Sequence, residues 1–430
     1  MKELANDYIV AYRSQNPQKE FLYTPAILVL KSGRYVMSLD ITDKAGLMFV
    51  SDDKGQTWRQ TGNGNFHHAS LFLDGARIYL LGSTTDCGNL VIFASDDEGE
   101  SWSQPSLLTQ GRTFFHCATD VCYKDGYVYL PMDECYLKEG ETIRSKWMPN
   151  IQAPVLLRGK QGTDLLQREN WLLSESVRFR DVIAEADIEG IGVPFFLSQE
   201  DAVEGEDFYD STAIYRREYD HGKDCSAKPL RYHAVGWLEA NVVQITDPEH
   251  YWYDPTGKTL HLFMRANSHI TGYGCVMKAV ERVVDGKETI SIECVKTPSG
   301  KRMIFLPIPG GQNKFYVKYD PKTKLYWLLS VQARDSMRRI ECLGEGRYNI
   351  PSDERDRLAL HFSSNMVDWC FAGLVAQSGH DKQSRHYASM DIDGEDLVIL
   401  SRSGDQNAAS AHNGNIITLH RVRNFRDLVY

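Results

Sequence analysis

Two copies of one eight-residue phrase and six copies of one apolar hairpin predict an all-β chain: a single β-propeller of four-stranded antiparallel blades. The phrase is SDDKGQTW at Ser51–Trp58 and SDDEGESW at Ser95–Trp102. The copies start 44 residues apart, the length of one blade in a radial repeat. Its parts have physical jobs. Asp53 or Asp97 accepts backbone hydrogen bonds across a tight turn, and Gly55 or Gly99 suits a left-handed backbone. Trp58 or Trp102 covers the hairpin beneath.

The hairpin is an apolar strand, a turn containing Asp or Gly, and a second apolar strand. It runs as YTPAILVLKSGRYVMSLD from Tyr23, HASLFLDGARIYLLGS from His68 and HCATDVCYKDGYVYLPMD from His116. It returns from Leu238 as LEANVVQITDPEHYWYDPTGKTLHLFMR, from Lys314 as KFYVKYDPKTKLYWLLS and from His386 as HYASMDIDGEDLVILSRS. Six units require at least six blades. SSNMVDW at Ser363–Trp369 reads as a decayed copy of the eight-residue phrase, and TDLLQRENW at Thr163–Trp171 as another outer turn. The rhythm breaks at about residues 178–236, predicting an irregular blade or an insertion over one face. No Pro-, Gly- or Ser-rich linker divides the chain, so residues 1–430 are expected to form one domain.

Composition narrows the function classes. A chain of 430 residues with 42% hydrophobic and 25% charged residues reads as soluble and globular. No stretch approaches the ~20 apolar residues of a membrane helix. The N-terminal MKELANDYIVAYRSQNPQKE carries no export signal as written, so a cytoplasmic location is expected unless such a signal has been removed. Nine cysteines at irregular spacings suit reduced thiols rather than a disulfide framework. A net charge of −10 without a basic stretch argues against nucleic acid. It leaves an acidic sugar open, because a few cations at short range outweigh net charge.

The eight-residue phrase resembles the Asp-box (BNR repeat) of sialidases and other propellers, where it occupies outer turns away from the chemistry. WLEANVV at Trp237–Val243, PGGQNKF at Pro309–Phe315, DGEDLVILSRS at Asp393–Ser403 and the closing segment His412–Leu428 resemble a group of sialidase-like propellers. That group includes ulvan lyases, rhamnosyl-glucuronate lyases and an α-rhamnosidase. The resemblance implies action on uronate-containing glycans and seven blades, with six as the alternative. A true sialidase would begin its three-arginine clamp where this chain has Tyr23-Thr24-Pro25, which counts against sialic acid. The lyases pair two histidines with a Tyr and an Arg. His68 fits the second histidine, Gly46-Leu47-Met48 stands where the first is expected, and Leu130 stands near the Arg position.

Residues that open the innermost strands converge on the hub of a propeller. His68, His116 and Glu239 are therefore the candidate catalytic groups. A neutral imidazole abstracts a proton beside a uronate carboxyl or activates water. Each histidine also reads as a strand-bridging group, and His67 as a structural neighbour. Glu239, in an apolar strand, needs a cation such as Arg265 or Lys314; it is an acid/base or a buried ion pair. Asn241, Arg265, Lys314, His386, Arg402 and His412 complete the candidate substrate-binding set, the arginines as bidentate partners for a carboxylate.

Asp133 and Glu134 are reserve acids. Hydrolysis by paired carboxylates would use Glu239 with Asp120 or Asp133. Cys117 and Cys122, like Cys225, Cys275, Cys294 and Cys342 with His221, have no zinc-motif spacing, so neither metal nor cofactor is expected. The expected partner is an acidic oligosaccharide or glycoside, without nucleic acid or membrane. The function so read is cleavage of a glycosidic bond in a uronate-containing glycan, by β-elimination or hydrolysis. A non-catalytic glycan-binding propeller is the alternative, and a protein-interaction propeller the general one for this fold.

Overall fold

The computed structural model describes residues 2–136, 151–182, 236–266, 272–335, 338, 342, 354–379 and 382–430. Six antiparallel sheets follow one another around a ring. Blade 1 comprises Leu22–Val29, Tyr35–Ile41, Gly46–Ser51 and Arg59–Gly64; blade 2 comprises His67–Asp74, Arg77–Ser83, Leu90–Ser95 and Ser106–Leu107. Blade 3 is built on Phe114–Phe115, Tyr127–Cys135, Gln152–Lys160 and Trp171–Leu173, and blade 4 on Trp237–Val243, Thr259–Ala266, Tyr273–Val284 and Lys287–Lys296. Blade 5 comprises Tyr316–Asp320, Leu325–Val331, Arg357–Ser363 and Cys370–Gln377. Blade 6 takes Arg385–Asp393, Asp396–Ser403 and Ile416–Val422, and its outer strand is the N-terminal Tyr8–Arg13, paired antiparallel to Ile416–Val422.

The ring therefore has six blades, the alternative count, not the seven that the family resemblance favoured. Each of the six sequence hairpins supplies the inner part of one blade. Period-two alternation explains how they pack, since neighbouring side chains on a strand point to opposite faces. In Arg77–Ser83, Ile78 and Leu80 join a core shared with blade 1, whereas Tyr79 and Leu81 join one shared with blade 3. Tyr326 and Leu328 likewise face blade 4, while Trp327 and Leu329 face blade 6. Six such cores fill the six gaps between blades, the last joining Val398, Leu400 and Ile417 to Met37, Leu39 and Phe49 across the closure. Strands sandwiched in this way are apolar on both faces, so Tyr35–Ile41 and Trp237–Val243 are buried throughout. Outer strands such as Arg59–Gly64 are largely exposed.

The repeated phrase forms two matching turns. Ser51 Oγ donates to Asp53 at 2.8 Å and accepts from Gly55 N at 2.8 Å, while Asp53 accepts from Thr57 N and Thr57 Oγ1 at 2.9 and 2.6 Å. Ser95, Asp97, Gly99 and Ser101 repeat every one of these bonds. Gly55 and Gly99 have φ of +86° and +85°, and a Cβ on Gly55 would meet Leu419 at 2.5 Å. The turns thus bear on the neighbouring blade and are scaffold. At Ser363–Trp369, Asn365 Oδ1 accepts from the amides of Val367 and Asp368, and Met366 takes the left-handed position at φ +62°. Trp171 Nε1 donates to Leu165 O at 2.8 Å, closing the outer turn expected there.

One expectation about cysteine is overturned. Cys87 and Cys135 form a disulfide linking blades 2 and 3, with Cα atoms 5.8 Å apart, because the ring brings together residues 48 apart in sequence. Cys117, Cys122, Cys275, Cys294, Cys342 and Cys370 are in no disulfide. Residues 183–235 of the irregular segment, with His221 and Cys225, lie outside the described residues. The described start of that segment is a short helix, Phe179–Val182, whose Phe179 packs edge-on against Trp237. Among the described residues no helix is long and apolar enough to cross a membrane.

Leu328 is fully buried between blades 4 and 5, whereas Val283 is 68% exposed near a hairpin tip. Leu328→Ala is expected to lower stability by about 2–5 kcal/mol, and Val283→Ala to stay within about 0.5 kcal/mol. Urea unfolding followed by tryptophan fluorescence measures both.

Candidate functional site

In four of the six blades, pairing of the innermost strand with the second one slips at a β-bulge. The slips fall at Tyr23/Ala26, His67/Ser70, Leu238/Asn241 and His386/Ser389. Each contains a non-glycine residue in left-handed backbone: Thr24 at φ +31°, His68 at +52°, Glu239 at +59° and Tyr387 at +46°. Such residues cost about 1–3 kcal/mol each and gather at functional sites, and bulges re-aim side chains. At the corresponding places, blades 3 and 5 carry Cys117 and Lys314. The local sequences share a pattern: Thr-Pro-Ala, His-Ala-Ser, Cys-Ala-Thr, Glu-Ala-Asn, Lys-Phe-Tyr and Tyr-Ala-Ser. Every blade thus sends one polar or ionisable side chain to the hub.

These side chains form one network. The Thr24 hydroxyl lies 2.7 Å from His68 Nδ1 and donates to Cys117 Sγ at 3.9 Å. Cys117 donates to Glu239 Oε1 at 3.4 Å. Arg265 Nη1 reaches Glu239 Oε2 at 3.4 Å and the Tyr387 hydroxyl at 3.0 Å, and its Nε donates to Gln312 O. Lys314 Nζ donates to Ala388 O at 2.6 Å. Arg402 lies 4.1 Å above the Tyr23 ring and 5.3 Å from the centre of Tyr387, and it donates to the carbonyl of His412, which is exposed at the rim. His68, Glu239, Arg265, Lys314 and Arg402 are thus brought together.

The bulged backbone is held from neighbouring blades. His68 N donates to Asp40 Oδ1 at 3.2 Å, and Glu239 N donates to Asp133 Oδ2 at 2.7 Å. Asp133 also faces His116 Nδ1 at 3.3 Å, and His116 Nε2 meets Thr119 at 3.2 Å. His116 is therefore a buried strut beneath the hub, and Asp133 is its partner. Asn241 joins blades 4 and 5, accepting from Val317 N at 3.0 Å and donating to Phe315 O at 3.2 Å. His386 is fully buried, with Arg355 Nη1 3.0 Å from its Nδ1. His116, Asn241 and His386 are thus placed in the frame rather than at the opening. Asp120 pairs with Lys318 at 3.1 Å, and Glu134 is gripped by Arg112 at 2.6 and 3.0 Å. Phe66 fills the space beside Gly46, and Leu130 is packed in the core between blades 2 and 3, so neither position has room for a further histidine or arginine.

Charge at the hub follows from these contacts. Burial works against a charged His68, but Asp40, 3.5 Å from Nδ1, and Asp86, 3.0 Å from Nε2, more than offset it. The imidazole is held above its ordinary pKa. Burial pushes the Asp40 carboxyl up, opposed by His68 and His67. Burial brings Lys314 down to about 8, only partly opposed by Cys117 and Glu239. Burial, reinforced by Glu239, raises Tyr387 against the pull of Arg265, so the phenol stays protonated. His386 is pushed well below the ordinary histidine value by burial and then by Arg355 and Arg402, so it is neutral. Among the described residues no group of three or more His, Cys, Asp or Glu side chains is arranged to hold a metal ion.

Thr24, Cys117, Tyr387, Asp86 and Arg355 are the site members that sequence reasoning passed over. The recurring tripeptide centred on Ala or Pro is the signal that marks the first three.

Three solved structures resemble this one along nearly its whole length. A Dyadobacter fermentans protein of unknown function is 12% identical, with 98% of each chain covered and a TM-score of 0.52. Trypanosoma rangeli sialidase, solved with 2,3-difluorosialic acid, is 11% identical over 99% of this chain and 60% of its own, with a TM-score of 0.50. Penicillium chrysogenum α-L-arabinanase, solved with arabinobiose, is 11% identical over 99% of both chains, with a TM-score of 0.47. The likeness to the first two is one of fold. No family model and no curated protein matches the chain.

A histidine paired in this way titrates late. The His68 ring, followed by ring-nitrogen NMR, is expected to have a midpoint above the ordinary histidine value, while His386 stays neutral throughout. The sign follows from linkage: the stabilisation from charged His68 is complete below the ordinary histidine range and is lost as pH rises through the raised value. A His68 midpoint at or below the ordinary value would contradict the assignment.

Proposed function

We propose that the hub binds an acidic sugar and cleaves the glycosidic bond beside it, in a uronate-containing oligosaccharide. The observation that carries this reading is the meeting of Glu239, Arg265 and Tyr387 with His68 in one network at the axis. Arg265, with Arg402 behind Tyr387, is suited to a uronate carboxylate. Neutralising that carboxylate acidifies the adjacent proton.

In this reading Glu239 accepts the C5 proton, the C–H electrons become the C4–C5 double bond, and the C4–O bond breaks. His68, held protonated by Asp40 and Asp86, delivers a proton to the departing oxygen. Tyr387 orients the sugar through its hydroxyl. Paired-carboxylate hydrolysis has less support, since Asp133 lies beneath Glu239 as partner of its backbone amide and Asp120 is committed to Lys318. The missing first arginine at Tyr23-Thr24-Pro25 continues to argue against sialic acid as substrate.

A second reading is a glycan-binding propeller without turnover. It is favoured by one observation: Glu239 is only 1% exposed, and both its oxygens are engaged. The two are separated by incubating the protein with uronate oligosaccharides, including rhamnosyl-glucuronate, and reading unsaturated-uronate absorbance and released sugar. Elimination predicts both signals, with kcat reduced by about 100-fold or more in Glu239→Gln and in His68→Gln. Binding by calorimetry without either product, unchanged in both variants, would establish the second reading instead.

A further inference from the structure

We propose that Asp86 is a positioning residue for His68, and that the Cys87–Cys135 disulfide holds it in place. The proposal rests on the reading of His68 as proton donor. Asp86 lies on the short loop between the second and third strands of blade 2, and its Oδ1 is 3.0 Å from His68 Nε2. Its side chain is 55% exposed. A carboxylate on a free surface loop is a weak partner, because screening and side-chain entropy consume most of the attraction. This loop is not free. The next residue, Cys87, is bonded to Cys135 at the end of the second strand of blade 3, and it sits in left-handed backbone at φ +54°. Gly88 and Phe114 exchange two backbone hydrogen bonds, at 3.1 and 2.6 Å. Phe115 then lays its ring against His68, centroids 4.5 Å apart. Carboxylate, clamp and packing surface all arrive through the one junction between blades 2 and 3.

The other groups facing His68 act elsewhere on the ring. Asp40 approaches Nδ1 from blade 1 and is the larger support for the charged imidazole, although burial raises its own pKa; Asp86 is the carboxylate at Nε2. His67 is the neighbour on the same strand and carries no negative charge. Arg402, from blade 6, opposes protonation. Tyr23 contributes a ring edge and Thr24 a hydroxyl. The hydrogen-bond directions agree with a doubly protonated ring. The Thr24 hydroxyl donates to Cys117, leaving its oxygen to accept from Nδ1–H, while Asp86 accepts from Nε2–H.

The clamp opens by ordinary thiol chemistry. A dithiol reductant such as dithiothreitol supplies two electrons and two protons; the S–S bond becomes two thiols and the reagent closes to its own disulfide. The Gly88–Phe114 pairing still ties the loop to blade 3.

The full chain is compared with Asp86→Asn, Asp86→Glu and the Cys87→Ser/Cys135→Ser double variant, with the dithiothreitol-reduced parent as a fourth sample. The readouts are the His68 midpoint by ring-nitrogen NMR, thermal melting, and kcat and KM against pH on the uronate oligosaccharide. The midpoint is expected to fall in Asp86→Asn, in the double variant and in the reduced parent, and to be largely restored in Asp86→Glu. The alkaline limb of kcat moves down with the midpoint. At alkaline pH kcat drops about tenfold for every tenfold loss in the proton affinity of the imidazole, with KM unchanged. An unmoved midpoint in Asp86→Asn overturns the positioning role. A midpoint that falls there but not in the double variant or the reduced parent overturns the clamp. If no oligosaccharide is turned over, the catalytic reading fails while the midpoint still decides this proposal.

Discussion

A bulge in an innermost strand is the constraint from which the rest of this hub follows. A regular strand would alternate its side chains between the two flanking cores, and none would be left for the axis. One extra residue in left-handed backbone breaks that alternation and turns a single side chain inward, as at Thr24, His68, Glu239 and Tyr387. The bulge also strands a backbone N–H, which needs a partner when buried. Asp40 and Asp133 meet that need for His68 and Glu239, each from the blade before. Carboxylates that look like spare acids in the sequence are thereby committed to geometry. Strain and polar burial at the hub are offset by apolar gaps between blades, where every inner strand is covered on both sides.

The same bulge explains which residues were legible. Repeats, hairpins and turn residues gave the architecture, because alternation and turn chemistry are local. His68, Glu239 and Lys314 were found because each opens a hairpin. In blades 3 and 6 the hairpin pattern points one residue early, to His116 and His386, where the inward residues are Cys117 and Tyr387. A one-residue step in a strand exchanges faces, and a bulge hides which parity applies. On a regular strand Asn241, two residues after Glu239, would share its face, yet the slip between them sends it to the backbone of blade 5. The favoured blade number came out one too high because it was taken from a resemblance rather than from the six hairpins counted. The Cys87–Cys135 bond was illegible for a different reason. Only the ring brings those two strand ends within reach.

Electrostatics at the hub run against the charge of the whole molecule. The chain carries a net −10, yet Arg265, Arg355, Arg402 and Lys314 crowd the axis with Glu239. The two facts are compatible because outer carboxylates are screened by water and salt, whereas buried cations act over a few ångströms. Further along the inner strands a second charged group crosses the ring. Lys318 of blade 5 bonds Asp120 and Asp391 at 3.1 Å each, and Asp391 also accepts from Val29 N of blade 1. That cross-brace ties four blades together as a half-buried ionic group.

The seam in blade 6 has a consequence for how the molecule is made. Its outer strand, Tyr8–Arg13, is synthesised before the other five sheets, and its partner, Ile416–Val422, after them. Those five sheets can assemble in order as the chain emerges, but the sixth must wait for a pairing that spans all of them. Closing so long a loop costs little more entropy than closing a short one, so delay rather than energy is the burden. During that interval the edge of Ile416–Val422 is an unpaired β-template. A nascent chain held at this stage offers that edge to Tyr8–Arg13 of a second copy.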